Sequence, residues 1–128
     1  MTISPWIAIG LGGALGAMSR YGISLGFLQL QSQTGFPLAT LLINILGCFL
    51  IGWAYQYSLN HEIGIWLPFL TIGLLGGFTT FSTFGLEAIQ LFQNKQFTFL
   101  VIYVLVSNII GFIAVFGGMK FSKHMFNV

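Results

Sequence analysis

The stretch Gly73-Leu74-Leu75-Gly76-Gly77-Phe78-Thr79-Thr80-Phe81-Ser82-Thr83-Phe84-Gly85 lies inside a long apolar run, roughly residues 66–92. A helix needs roughly 20 apolar residues to cross about 30 Å of hydrocarbon, so the run is long enough to span a bilayer. Its middle is interrupted by adjacent glycines and by the hydroxyls of Thr79, Thr80, Ser82 and Thr83. Two readings follow. The helix stays intact and its hydroxyls bond back to the preceding turn. Or it breaks, which a membrane helix tolerates only where it is buried in protein or lines a watery cavity. Freed carbonyls then suit a cation, and freed N–H groups and hydroxyls suit an anion. A Gly-Gly pair followed by TTFSTF exceeds what back-bonding needs, and a broken third span is expected.

Outward from this stretch, three more apolar runs cover roughly 5–30, 38–59 and 97–119, separated by short polar segments. The expectation is an all-α membrane protein, one domain over 1–128, with four transmembrane helices. Composition agrees. Of 128 residues 56% are apolar and only 5% charged, against about a quarter charged in soluble domains. A water-facing globule and a disordered chain are both excluded. The single Cys48 excludes a disulfide framework. A scattered net charge of +2 excludes a nucleic-acid footprint. A membrane barrel needs alternating segments of about ten residues, and these runs are continuously apolar. The first run has no basic residue before it, so a retained span is expected rather than a signal peptide. Multi-pass insertion in the cell (inner or plasma) membrane is expected.

Polar groups inside the spans mark candidate functional positions. Arg20, in the later half of span one, either attracts anions at a pore mouth or is a structural arginine that snorkels or bonds carbonyls. Thr40 and Asn44 are four apart and share a helix face. Asn44 offers two donors, either to a pore or to a neighbouring helix. Phe81 and Phe84 share a face if the helix resumes, and the positive ring edges suit an anion path, whereas packing is the plain alternative. Glu87 is a proton carrier or a structural acceptor. Tyr103 and Ser107 are four apart and present a hydroxyl track, while Asn108 points elsewhere. Gly12 and Gly16, Gly22 and Gly26, and Gly73 and Gly77 have the spacing that lets backbones approach closely. His61 and His124 lack ligand-spaced partners, and Ser82 has no neighbouring base. No enzyme is expected.

GGALGAMSRY (12–21), TLLINILGCFLIG (40–52) and GLLGGFTTFSTF (73–84) together resemble the Fluc (CrcB-type) fluoride channels. The resemblance covers essentially the whole chain, and its third motif is the most specific. It implies passive fluoride export through two pores of an antiparallel, dual-topology homodimer. It implies a phenylalanine box from Phe81 and Phe84, a pore asparagine in Asn44, and polar pore residues in Ser82, Thr83 and Thr40. Tyr103 and Ser107 fall in its span-four hydroxyl track, which here lacks a further hydroxyl at Gly111. Gly76 and Thr79 fall where backbone carbonyls hold a structural sodium ion. Arg20 and Glu87 match its first-span arginine and third-span glutamate. The residues alone indicate a small anion, and fluoride comes from the resemblance. Two rivals are a small proton-coupled multidrug exporter, which wants a carboxylate in span one, and a non-transporting packing subunit, which leaves TTFSTF and Asn44 without purpose.

With four spans, Lys120 and Lys123 lie on one side, and Lys95 and Arg20 on or toward the other. Orientation follows the bias of basic residues near span ends, and two against two gives almost none. Tags on the C-terminus are therefore expected on both faces of the membrane. Adding three lysines to the tail is expected to drive the C-terminus inside. A single orientation of the wild-type chain by protease accessibility would refute dual insertion.

Overall fold

The computed structural model describes residues 4–127; the first three residues and the last residue of the domain expected over 1–128 lie outside it. Helix α1 covers Pro5–Thr34 and α2 covers Leu38–Ser58. Helix α3 runs over 66–78 and is wound as a wider π-helix at Phe69–Leu74. Helix α4 covers Phe81–Gln93, and α5 covers Phe97–Phe126. Because α3 and α4 together form the third span, the fold is a four-helix bundle.

Local chemistry sets the ends. Pro5 opens α1, where its missing N–H costs nothing. Gly35 closes α1 in the left-handed region at φ 72°, with its N–H donated to the Gln31 carbonyl, and Pro37 starts the turn into α2. Helix α1 therefore runs past residue 30, through Gln31, Ser32, Gln33 and Thr34. Helix α5 likewise runs past 119. The polar segment after the fourth apolar run, Lys120 to His124, is not a loose tail but stays helical until Asn127 turns left-handed at φ 51°. The reason is tertiary. Phe126 packs edge-on to Tyr57 at 4.7 Å, and Tyr57 stacks between Trp53 at 5.7 Å and His61 at 4.2 Å.

Among the described residues, three helical stretches are long and apolar enough to cross a membrane: Leu38–Ser58, Trp66–Gln93 and Phe97–Phe126. The chain is thus an integral, multi-pass membrane protein. Helix α1 has the length, at 30 residues, but is less apolar, because Gly10, Gly12, Gly13, Gly16, Gly22 and Gly26 dilute its hydropathy and Arg20 lies within it. Gly12, Gly13 and Gly16 have another use.

The bundle is built from two parallel helix pairs. Helix α1 packs along α3, and α2 packs along α5. In the first pair the backbones touch. A Cβ on Gly12 would come within 2.5 Å of the Phe69 carbonyl oxygen, and one on Gly77 within 2.6 Å of that of Gly13. A Cβ on Gly16 would collide with the Leu74 carbonyl. In the second pair Gly52 faces the Val115 carbonyl and Gly118 faces that of Phe49, again with no room for a Cβ. The close backbone approach expected from the spacing of Gly12 and Gly16 and of Gly73 and Gly77 is observed, and these two pairs meet each other. Gly22 and Gly26 have nothing within 4 Å.

Helix α4 is the least enclosed element. It touches α5, and touches α2 sparsely, leaving Leu86, Ile89 and Phe92 exposed.

Overpacking a core ordinarily costs about 1–3 kcal/mol; here the obstacle is backbone, which cannot rotate away. Gly16→Val and Gly118→Val are each expected to exceed that range and to abolish recovery of monodisperse protein in detergent. Gly22→Val, on an open face, serves as the tolerant control. Equal yields of all three would refute the backbone-contact account.

Candidate functional site at the helix break

Between α3 and α4 the chain leaves the helical region at two residues. Thr79 has ψ 160° and Thr80 has φ −152° and ψ 122°. A break here strands backbone groups that intact helix would pair, and stranded groups in lipid cost several kcal/mol each. Asn44 of α2 answers most directly. Its Nδ2 donates to the Thr80 carbonyl at 2.9 Å, and its Oδ1 accepts the Thr80 N–H at 2.9 Å. One side-chain amide thus pairs both ends of the extended residue, as a strand neighbour would. The Thr80 hydroxyl caps α4, accepting the Thr83 N–H at 3.2 Å and lying within 3.1 Å of the Thr83 hydroxyl. Ser82 Oγ is 3.3 Å from the same hydroxyl.

On the α3 side, Arg20 Nε donates to the Gly77 carbonyl at 3.1 Å. This is the carbonyl-bonding role open to Arg20 from the sequence. Thr79 returns both its N–H and its hydroxyl to Leu75, at 3.0 and 2.9 Å. Gly47 of α2 leaves room for the Thr79 methyl. The carbonyls of Gly76 and Thr79 receive no donor among the described residues.

The break opens on a groove of about 340 Å³. Asn44, Thr79, Thr80, Phe81, Phe84 and Ser107 line it, with Gly76, Thr71, Cys48 and Asn108 around them. Ser107 Oγ is buried and has no partner among the described residues. Asn108, read as pointing elsewhere, also borders the groove while its Nδ2 donates to the Val104 carbonyl at 2.7 Å. Phe81 is 84% exposed. Its ring lies 5.7 Å from that of Phe84, which lies 5.1 Å from that of Tyr103.

Tyr103 belongs to a second polar cluster. Its hydroxyl donates to Glu87 Oε2 at 2.7 Å, and the Thr40 hydroxyl donates to Oε1 at 3.0 Å. Tyr103 and Thr40 are both buried. Three helices supply this triad, and each carboxylate oxygen holds one hydroxyl. Thr40 and Asn44, one helix face by spacing, therefore serve different clusters. So do Tyr103 and Ser107, with Phe84 between the two groups. No group of three His, Cys, Asp or Glu side chains that could hold a metal ion occurs among the described residues.

Thr80 is the central residue that sequence reading passed over. Its signal was present, since a threonine three residues before Thr83 at the start of a helix is an N-cap pattern. It was obscured by the three other hydroxyls nearby.

A family profile described as CrcB-like protein, Camphor Resistance (CrcB), matches residues 7–119. The chain belongs to this family. It is 48% identical over 106 residues to a protein of Ruminiclostridium cellulolyticum named fluoride-specific ion channel FluC, covering 79% of this chain and 78% of that one. A namesake from Saccharophagus degradans is 39% identical, covering 86% and 83%. One from Helicobacter pylori is 40% identical, covering 96% and 95%. The match includes the three glycine-rich and hydroxyl-rich motifs together with both polar clusters.

Asn44→Asp keeps the shape but places a carboxylate against the Thr80 carbonyl, losing the donor and adding repulsion. A buried group left unpaired costs about 1–3 kcal/mol. Amide hydrogen exchange across 78–85 is expected to accelerate in this variant while that of α2 and α5 changes little. Unchanged exchange would remove Asn44 from holding the break.

Proposed function

We propose that the chain is a passive fluoride-selective channel. The observation that carries this is family membership over 7–119, with relatives named fluoride-specific channels matched over most of their length. The chemistry of the groove is consistent with it. A small, strongly hydrated anion enters a narrow path only where donors replace its water, and leaves only where no full charge traps it. The groove offers an amide, hydroxyls and ring edges, all neutral.

In this reading Asn44 has two tasks. One Nδ2 hydrogen is held by Thr80, and the second is free to donate toward the ion. Phe81 and Phe84 present electropositive edges, and Ser107, Thr83 and Ser82 supply hydroxyls. Thr40 and Tyr103 donate to Glu87 when no ion is present and turn to the ion when it passes. Glu87 is thus a resident acceptor that keeps those hydroxyls ready. Arg20, with one N–H committed to Gly77, keeps its full positive charge and draws anions toward the groove. The activity is transport, without a catalytic step.

The proposal extends to an antiparallel, dual-topology homodimer with two pores. Phe81, at 84% exposure, and the open apolar face of α4 would meet lipid in a lone chain and are equally available for cover by a second copy. Charge balance permits that copy to insert the other way, and a two-fold pair is closed. A structural sodium ion fits the carbonyls of Gly76 and Thr79, because hard cations take oxygen ligands and these two oxygens receive no donor among the described residues. One chain supplies two, and a two-fold partner would double the set.

Purified protein in liposomes is expected to release fluoride down its gradient, read with a fluoride electrode, without a proton gradient or nucleotide. Phe81→Ile and Phe84→Ile keep apolar bulk and lose the ring edge, worth about 0.5–1.5 kcal/mol. Each is expected to slow efflux by up to about tenfold with the dimer intact by size exclusion. Wild-type rates in both variants would reduce the rings to packing.

A further inference from the structure

A second, smaller cavity of about 80 Å³ lies where the α1–α2 and α4–α5 connections meet. Four of its eight lining residues carry side-chain amides. Gln31 comes from the last turn of α1, Gln90 and Asn94 from the end of α4, and Gln96 from the residue before α5. Glu87, one turn deeper along α4, also lines it and is the only charged residue that does among the described residues. Its carboxylate is not bare, since each oxygen accepts a hydroxyl from within the protein. Gly35 forms part of the rim. A Cβ there would meet Gln96 Nε2 at 3.0 Å, so the glycine leaves room for that amide.

Four amides around one space need hydrogen-bond partners, and water is the partner such a polar cavity can hold. One water needs roughly 10–15 Å³ of such volume, and this cavity has several times that. Residues in contact also connect it to the groove. Phe84 lines the groove, its ring lies 5.1 Å from that of Tyr103, Tyr103 donates to Glu87, and Glu87 lines the cavity.

We propose that this cavity is a mouth of the ion path. In it, Gln31, Gln90, Asn94 and Gln96 stand in for part of the water shell of a small anion as it enters or leaves. The inference rests on the channel reading above. Amide N–H groups donate to an anion without a full positive charge, so they ease dehydration and still release the ion. The amide oxygens, turned the other way, hold the waters that remain. Lys95, between Asn94 and Gln96 on the exposed turn, adds the positive charge nearest this mouth along the chain. It acts from outside the lining, where it raises the local anion concentration without binding the ion in the path.

The test uses the whole protein in liposomes. Gln90→Cys and Asn94→Cys are each treated with a sulfonate-bearing methanethiosulfonate, with treated wild type in parallel to account for Cys48. Fixing a negative charge in the mouth is expected to slow fluoride efflux roughly tenfold. A trimethylammonium reagent of similar bulk is expected to slow it less. Ser32→Cys, exposed on α1 and outside the cavity, is expected to behave as treated wild type. Complete labelling by mass, with efflux equal to treated wild type, would overturn the mouth and leave the channel standing. Wild-type vesicles that release no fluoride would overturn the channel itself. Gln96→Leu gives an arm independent of labelling. Slower efflux with unchanged dimer elution supports the mouth, and unchanged efflux counts against it.

Discussion

A polypeptide that leaves the helix inside a membrane must find protein partners for the groups it frees. That constraint falls on Thr79 and Thr80, and the surrounding structure answers it. Asn44 pairs both backbone groups of Thr80, Arg20 takes the Gly77 carbonyl, and the Thr80 hydroxyl caps the next helix. Two polar residues that look costly in spans one and two are thereby given work at one point in span three. Gly76 and Thr79, whose carbonyls receive no donor among the described residues, both line the groove.

Holding a break requires the helices that supply the partners to come close. The glycine contacts perform this function. Helix α1 lies directly on the α3 backbone through Gly12, Gly16 and Gly77, which brings Arg20 within reach of the last turn before the break. Helix α2 lies on α5 through Gly52 and Gly118, which sets Thr40 and Tyr103 on either side of Glu87. Close packing and polar pairing are thus one arrangement. Without side chains between backbones, a single amide or hydroxyl can span the gap to the next helix.

The half-helix α4 carries the exposed share of the site. It contributes Phe81, Phe84 and Glu87, yet has few neighbours of its own. Its position depends on the Thr80 cap at one end and the Glu87 hydroxyl pair in the middle. This makes the break a positioning device: it aims the rings of α4 at the groove independently of the axis of α3.

The sequence by itself determined the membrane class, the helices, and the place where one is interrupted. Each of these follows from local composition: few charges, long apolar runs, and Gly-Gly before TTFSTF. It also marked polar residues that need protein partners, because Arg20, Asn44 and Glu87 are costly in lipid wherever they point. What only the tertiary structure decided is who pairs with whom. Spacing put Thr40 with Asn44 and Tyr103 with Ser107, but in the bundle each pair is divided between the break and the Glu87 cluster. Helix register along a face gives direction only. The partner depends on how far each helix slides along its neighbour, and that is set by backbone contacts between residues some 60 positions apart, such as Gly16 with Leu74 and Gly52 with Val115. The ends of α1 and α5 were likewise beyond local reading. Polar residues ended the apolar runs, while the left-handed Gly35 and the packing of Phe126 on Tyr57 decided where the helices stop.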